Sequence, residues 1–324
     1  MQTLVTGCAG FVGSHVVDQL LADGHAVRGV DCFTQYYDPA RKHRNLDDAS
    51  RSHRFELVDA DLRTTDVVAL LDDVDVVYHL AGQPGVRVSW ADGFGEYVSL
   101  NVLVTQRILE AVRTRPVERV VYASSSSVYG NAQSYPVRET DVPRPYSPYG
   151  VTKLAAEHLC VLYAENWRIP TVSLRYFTVY GPRQRPDMGF SRFFDAALGG
   201  EPIPVYGTGE QVRDFTFVAD VVDATIRSGI LPTPPGTVMN VAGGESVTVN
   251  GLVDLLGELL GRSVEVTRLP PQPGDVQRTG GVTDRARAFL DWAPQTPLAE
   301  GLRRQLLWIQ ALSSEHLANP VVRI

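Results

Sequence analysis

A doubly wound parallel α/β sheet, with a smaller α/β lobe interleaved into its C-terminal part, is the architecture predicted for this 324-residue sequence. Three observations carry that expectation. Short, almost wholly apolar strands such as Thr3–Thr6, Asp75–Leu80 and Val117–Ala123 alternate with helical patterns, as strands buried on both faces do. The first strand runs straight into a glycine turn and a helix. Further strands at Pro170–Phe177 and Val238–Val241 follow a long helix, so the sheet continues while the segments around them build a lobe.

Composition narrows the class. Hydrophobic content of 44% and charged content of 21% are those of an ordinary globular enzyme. A net charge of −7 argues against nucleic acid or an acidic membrane as partner. Three scattered cysteines, Cys8, Cys32 and Cys160, have no metal-binding spacing and suggest reduced thiols in the cytoplasm. No metal is expected. No apolar run approaches the roughly 20 residues that span a bilayer, and no basic segment precedes the first strand.

Thr3–Thr6 reads as a buried strand, Gly7-Cys8-Ala9-Gly10-Phe11-Val12-Gly13 as its turn, and Val16, Val17, Leu20 and Leu21 as the face of a helix closed by Gly24. Glycines here permit a tight turn and let a pyrophosphate approach the N–H groups at the helix start. The spacing is Gly-x-x-Gly-x-x-Gly, not the commoner Gly-x-Gly-x-x-Gly. The second strand, His25–Val30, ends at Asp31, where a carboxylate can bind the adenosine ribose and repel a 2′-phosphate, favouring NAD over NADP. Phe33–Arg54, with Lys42 among its basic residues, reads as a solvated loop and short helix, because Asp38, Asp47 and Asp48 are interleaved. Asp59 and Asp61 follow the strand Phe55–Val58, and an acid there can meet the adenine amino group. Asp75–Leu80 leads into Ala81-Gly82, small enough for a cofactor to lie on the backbone; His79 reads as a core histidine without evident partners. Gln83–Gly95 reads as loop, and Val98–Val112 as an amphipathic helix with Asn101 near its start.

Ser124–Gly130 then sits at the C-terminal end of a strand, where ligands of open α/β sheets bind. A short loop later comes Ser147-Pro148-Tyr149-Gly150-Val151-Thr152-Lys153. Ser147 suits an N-cap and Pro148 the first helical position, so Tyr149 and Lys153, four apart, share a helix face. A fixed ammonium one turn away favours the phenolate. Only Lys42 and Lys153 are lysines in a chain otherwise supplied with arginine, which suggests a task for Lys153 that arginine cannot perform.

Together Thr6–Gly13, Asp31, His79–Ala81, Tyr122–Gly130 and the Tyr149/Lys153 pair resemble the extended short-chain dehydrogenase/reductase family, and within it the nucleotide-sugar 4-epimerases, UDP-glucuronate 4-epimerases above all. The likeness covers nearly the whole chain. It implies a Rossmann-type NAD-binding domain over residues 1–176, to which the chain returns at about 217–241, and a nucleotide-sugar-binding lobe from 177–216 and 242–324. It also implies Tyr149 as base, Lys153 as its electrostatic partner and ligand of the nicotinamide ribose, and Ser125 as third member, with Ser126 the neighbour that could replace it. Expected NAD contacts are Gly7, Gly10, Phe11, Val12, Gly13, Asp31, Asp61, Leu62, Leu80, Ala81, Tyr149, Lys153 and Tyr176. Expected substrate contacts are Ser125, Ser126, Thr178, Arg185, Arg213, Asp275 and Arg278.

The second half supplies the reasons for several of these. Arg183-Gln184-Arg185-Pro186-Asp187-Met188 puts two arginines on a proline-bounded loop beyond the sheet's ligand edge, candidates for a carboxylate or phosphate. It resembles a segment of the UDP-glucuronate 4-epimerases, which implies that Arg185 holds a C6 carboxylate. Arg213 lies among aromatics and could grip a diphosphate, a structural Arg–Asp pair being the alternative; the resemblance places Asp275 on the nucleotide ribose. Helices are expected at Phe190–Leu198, Val218–Leu231, Val249–Leu260 and Leu298–Leu312, with a loose tail after the last. The resemblance implies a homodimer formed through residues 97–113 and 149–167.

The reaction so implied is 4-epimerisation of a UDP-sugar, UDP-glucuronate before others. Decarboxylases and 4,6-dehydratases of the same family carry an acid in the serine stretch, where this chain has Ser126 and Ser127. That absence argues for epimerisation. UDP-glucose as substrate, those two lyase chemistries, and a non-catalytic NAD-binding regulator stay open at this point.

Overall fold

The computed structural model describes the backbone of residues 1–318 and the side chains of residues 1–312. The last helix runs to Ala318, past its expected end at Leu312, and the rest of the expected tail, residues 319–324, lies outside the described residues. Among these, the strands are β1 (Gln2–Thr6), β2 (Ala26–Asp31), β3 (Phe55–Asp59), β4 (Val76–His79), β5 (Arg119–Ser125), β6 (Thr171–Tyr176), β7 (Val179–Tyr180), β8 (Ile203–Tyr206), β9 (Val212–Asp214), β10 (Thr216–Phe217), β11 (Thr237–Val241), β12 (Ser246–Thr248) and β13 (Val266–Leu269). One sheet takes seven of the described strands in the order β3-β2-β1-β4-β5-β6-β11, every neighbour parallel. The winding direction reverses between β1 and β4, and a ligand crevice opens at the carboxyl ends of the strands there.

The helices are α1 (Phe11–Ala22), α2 (Pro39–Arg44), α3 (Val67–Leu70), α4 (Phe94–Tyr97), α5 (Val104–Thr114), α6 (Pro148–Trp167), α7 (Gly189–Gly199), α8 (Val218–Ile230), α9 (Val249–Leu260), α10 (Asp284–Leu290) and α11 (Leu298–Ala318). Two hydrophobic cores flank the sheet. Val5, Val76 and Val121 pack with Val16 and Leu20 of α1 and Val221 of α8. Their chain neighbours Leu4, Val77 and Val120 pack with Ile108 of α5 and Ala156 of α6 on the opposite face. Strand side chains alternate between faces, so burial on both sides demands apolar residues at successive positions.

Two local expectations are corrected. The helix expected from Val98 starts at Phe94 and passes through a π-helical stretch, Val98–Leu103, before becoming α5. The widened turn carries the Asn101 side chain to Gln83, accepting from its N–H at 2.7 Å and donating to its C=O at 3.1 Å. His79 is not without partners: its ring nitrogens bond the hydroxyls of Thr6 and Thr105 at 2.8 and 2.9 Å, and burial holds its pKa down to about 3. β10 pairs with β7 in a separate ladder, and within the segment 217–241 the strand that joins the main sheet is β11. Two further short ladders, β9 with β12 and β8 with β13, shape the lobe over the sheet's carboxyl edge.

Candidate active site

A cavity of about 1010 Å³ opens along the carboxyl ends of β1, β2, β4, β5 and β6 and reaches under the lobe to Tyr206, Arg213 and Asp275. At its inner end the glycine turn is built for close approach. Gly7 has φ +70°, and a Cβ there would lie 2.8 Å from the Ala81 nitrogen; a Cβ on Gly13 would lie 2.1 Å from the Gly7 carbonyl oxygen. Helix α1 begins after Gly10 with no side-chain cap, so its first N–H groups remain available to an anion. Asp31 stands at the end of β2 and accepts from the N–H groups of Ala9 and Phe33 at 3.3 and 2.8 Å. These residues fit a dinucleotide: donors for a pyrophosphate, then a carboxylate for a ribose. Asp61, Leu62, Leu80, Ala81 and Tyr176 line the same wall, as do Phe11 and Val12. Asp61 is engaged, accepting three bonds from the Arg63 guanidinium at 2.6–3.0 Å, which hold its carboxyl below the usual range.

The opposite wall begins at the start of α6. Ser147 caps the helix, its hydroxyl accepting from the Gly150 N–H at 3.1 Å, and Pro148 occupies the first turn. Tyr149, in that turn, lines the cavity with the end of β5, where Ser125 is the serine that acts on its phenol. Ser126 and Ser127 line the cavity beside it. Burial pushes the Tyr149 phenol above the ordinary tyrosine range; the Ser125 hydrogen bond and the charge of Arg185 pull it back. Lys153 lies one helical turn further along α6. Its ammonium donates to the Ala123 carbonyl at 2.9 Å and sits by Gly82, with its pKa lowered to about 8 by burial. The charge of Arg185 also acts on the phenol, which sequence spacing could not reveal.

Arg185 and Thr178 both line the cavity. The Arg185 Nε and Nη2 donate to the two carboxylate oxygens of Asp187, each at 3.0 Å, and the Tyr36 hydroxyl donates to the same acid at 3.3 Å. At the outer end Arg213 donates to Asp275 at 3.0 Å, and Arg87 approaches that acid at 3.7 Å. The two expected substrate contacts, Arg213 and Asp275, thus occupy each other here. Arg278 is not on the cavity wall; its guanidinium lies 5.5 Å from the centre of the Tyr135 ring.

Several lining residues escape a reading of the sequence. Lys42 is buried with its ammonium 3.4 Å from Asp31 and 3.2 Å from the Thr34 hydroxyl, instead of on a solvated loop. The rarity of lysine, which singles out Lys153, singles out Lys42 equally. Arg87 stacks at 4.1 Å on the Tyr206 ring, with Arg192 at 5.5 Å. No spacing rule connects those segments.

A model of the NAD dependent epimerase/dehydratase family matches residues 3–242. The chain belongs to that family. It is 40% identical over 96% of its length to the "Uncharacterized UDP-glucose epimerase YtcB" of Bacillus subtilis, covering 99% of that protein. It is 35% identical to the UDP-glucuronate 4-epimerase of Thermodesulfobacterium geofontis, over 94% of this chain and 95% of the other. Among solved structures, the UDP-glucuronic acid 4-epimerase of Bacillus cereus in complex with UDP-glucuronic acid and NAD superimposes with a TM-score of 0.94 at 40% identity, over 96% of this chain and 100% of that one. An epimerase/dehydratase of this kind needs a dinucleotide beside a hydroxyl-activating group, and the inner and outer halves of the cavity have those two characters. Among the described residues no His, Cys, Asp and Glu cluster is placed to hold a metal, and no helix is long and apolar enough to cross a membrane.

Proposed function

We propose that this chain is an NAD-dependent UDP-sugar 4-epimerase whose preferred substrate is UDP-glucuronate, inverted at C4 to UDP-galacturonate. One observation carries the reading: Tyr149 shares its cavity wall with Ser125 and with Arg185, and both act to lower the pKa of that phenol. A hydroxyl-activating group and a carboxylate-binding group then lie on one ligand.

NAD, when bound, supplies the hydride acceptor and donor and a ring charge that favours the phenolate. Tyr149 takes the proton from the 4-OH, with the Ser125 hydroxyl sharing that hydrogen bond, and returns it to the inverted alkoxide. Lys153, anchored on Ala123, presents its remaining N–H groups on the Gly82 side, to the nicotinamide ribose. Arg185, with Ser126 and Thr178, holds the C6 carboxylate, and Arg213 the diphosphate, which displaces Asp275 toward the nucleotide ribose. Ser126 and Ser127 put no acid beside C5. That supports epimerisation over loss of CO₂ or water. The Arg185–Asp187 pair supports a uronate over neutral UDP-glucose, since a hydroxymethyl group gains nothing from a cation.

Residues 1–176 with about 217–241 serve the cofactor, and 177–216 with 242–324 the nucleotide-sugar. Half-exposed Leu103, Leu162 and Trp167, on the helical stretch 98–114 and on α6, support a homodimer through those helices. Free Cys8 and Cys160, both buried, suit the cytoplasm. The test is incubation with UDP-glucuronate and, separately, UDP-glucose. Product of unchanged mass with inverted C4, formed faster from the uronate, is the expected result; loss of CO₂ or water would sink the proposal.

A further inference from the structure

Three turns of α6 are tied to three consecutive residues of β5. Tyr149 and Ser125 line the same cavity, Lys153 donates to the Ala123 carbonyl at 2.9 Å, and Glu157 accepts from the Ser124 hydroxyl at 2.7 Å. Spaced four apart, the helix residues share a face. The first two rungs belong to the cavity; Glu157 does not line it and is only 2% exposed. A carboxylate that far from water stays charged only with partners. Its partner is Arg175 on β6, whose Nε and Nη2 donate to the two carboxylate oxygens at 3.0 and 2.6 Å. Arg175 also donates through Nη1 to the Tyr129 hydroxyl at 2.6 Å, and that hydroxyl donates to Asn240 on β11 at 2.7 Å. Tyr129 closes the short helical turn that Ser125 opens by accepting from the Ser127 N–H. One buried carboxylate thus links the helix bearing the phenol, the strand bearing its serine, and the next strand of the sheet.

We infer that Glu157 is a positioning residue for the Tyr149–Ser125 pair: by gripping Ser124 and Arg175 it fixes the axial register of α6 against β5. The inference rests on the roles proposed above for Tyr149 and Ser125. Tyr149 sits in the first helical turn, far from the middle of α6, so the register is set from behind, two turns along. A displacement of about 1 Å at a reacting group can cost roughly 100-fold in rate.

Ser124→Ala is the informative variant, because it removes one rung and leaves the Glu157–Arg175 ion pair intact. With UDP-glucuronate, kcat should fall about tenfold while KM stays within about twofold, as for an interaction felt in the transition state alone. The acid limb of the kcat–pH profile should move up by about half a unit, because the phenolate loses part of its Ser125 hydrogen bond. Glu157→Asp, which withdraws the charge by one methylene, should show the same pattern more strongly. Ser124→Ala decides alone should Glu157→Asp not fold. Wild-type kcat and limb in Ser124→Ala, beside lost turnover in Tyr149→Phe, overturn the inference and leave the functional reading standing. Retained turnover in Tyr149→Phe overturns both.

Discussion

Replacing Arg185 by Met tests the choice of substrate. Methionine keeps a long apolar stem and removes the guanidinium. In the structure two of its nitrogens serve Asp187, and Nη1 has no hydrogen-bond partner among the described residues. That free edge is what a uronate carboxylate can use. A hydrogen bond to a charged group contributes about 1.5–3 kcal/mol, which is roughly 10- to 150-fold in kcat/KM. The substitution also exposes a uronate to Asp187, no longer neutralised. Its carboxylate is 36% exposed, so the repulsion is that of a well-solvated pair, about 1 kcal/mol and roughly fivefold more. Initial rates with UDP-glucuronate and UDP-glucose, products resolved chromatographically, should show the uronate losing at least about tenfold more than the glucose, the loss common to both sugars being that of the Arg185 charge on the Tyr149 phenol. Arg185→Met/Asp187→Asn should recover roughly fivefold for the uronate. Equal losses for both sugars would refute carboxylate recognition by this residue.

Other consequences are as direct. Gly13→Ala places a Cβ 2.1 Å from the Gly7 carbonyl oxygen; backbone must move, so stability should fall by about 1–3 kcal/mol and NAD affinity with it, read by thermal melts with and without NAD. Lys42→Met leaves Asp31 buried without its cation; a broken buried pair costs about 3–5 kcal/mol, and the purified variant should melt lower and retain less NAD. Lys153 has a folded pKa of about 8, below its unfolded value near 10.4. Between those values the unfolded chain binds the extra proton, so this residue's contribution to stability rises with pH through that window. In cofactor-free protein, Lys153→Met should therefore be more stable than wild type at pH 7, by up to about 3 kcal/mol, and the gap should close toward pH 10. A constant gap across that range would contradict the assigned burial cost.

Much of the fold was legible because its causes are local. An N-cap serine followed by proline starts α6 whatever surrounds it. A turn that needs φ +70° at Gly7 accepts glycine and little else, and apolar residues at successive positions report a strand covered on both faces. The π-helical stretch at Val98–Leu103 was not legible, since its residues suit an ordinary helix; it is selected by Asn101 reaching Gln83. His79 looked solitary because its partners, Thr6 and Thr105, come from different segments.

The same divide runs through the site. The order of residues carries which groups are available: a tyrosine and lysine one turn apart, a serine run without acid, an aspartate closing the second strand. It does not carry which of them meet. Arg185 reaches the field of Tyr149, Asp275 lies between Arg87 and Arg213, and Glu157 grips Ser124 and Arg175. Each pairing joins segments whose separation along the chain has no period and whose connecting loops tolerate many geometries. The packing of the helices and lobe against one sheet selects among them, because a buried charge is stable only where that packing brings its counterpart.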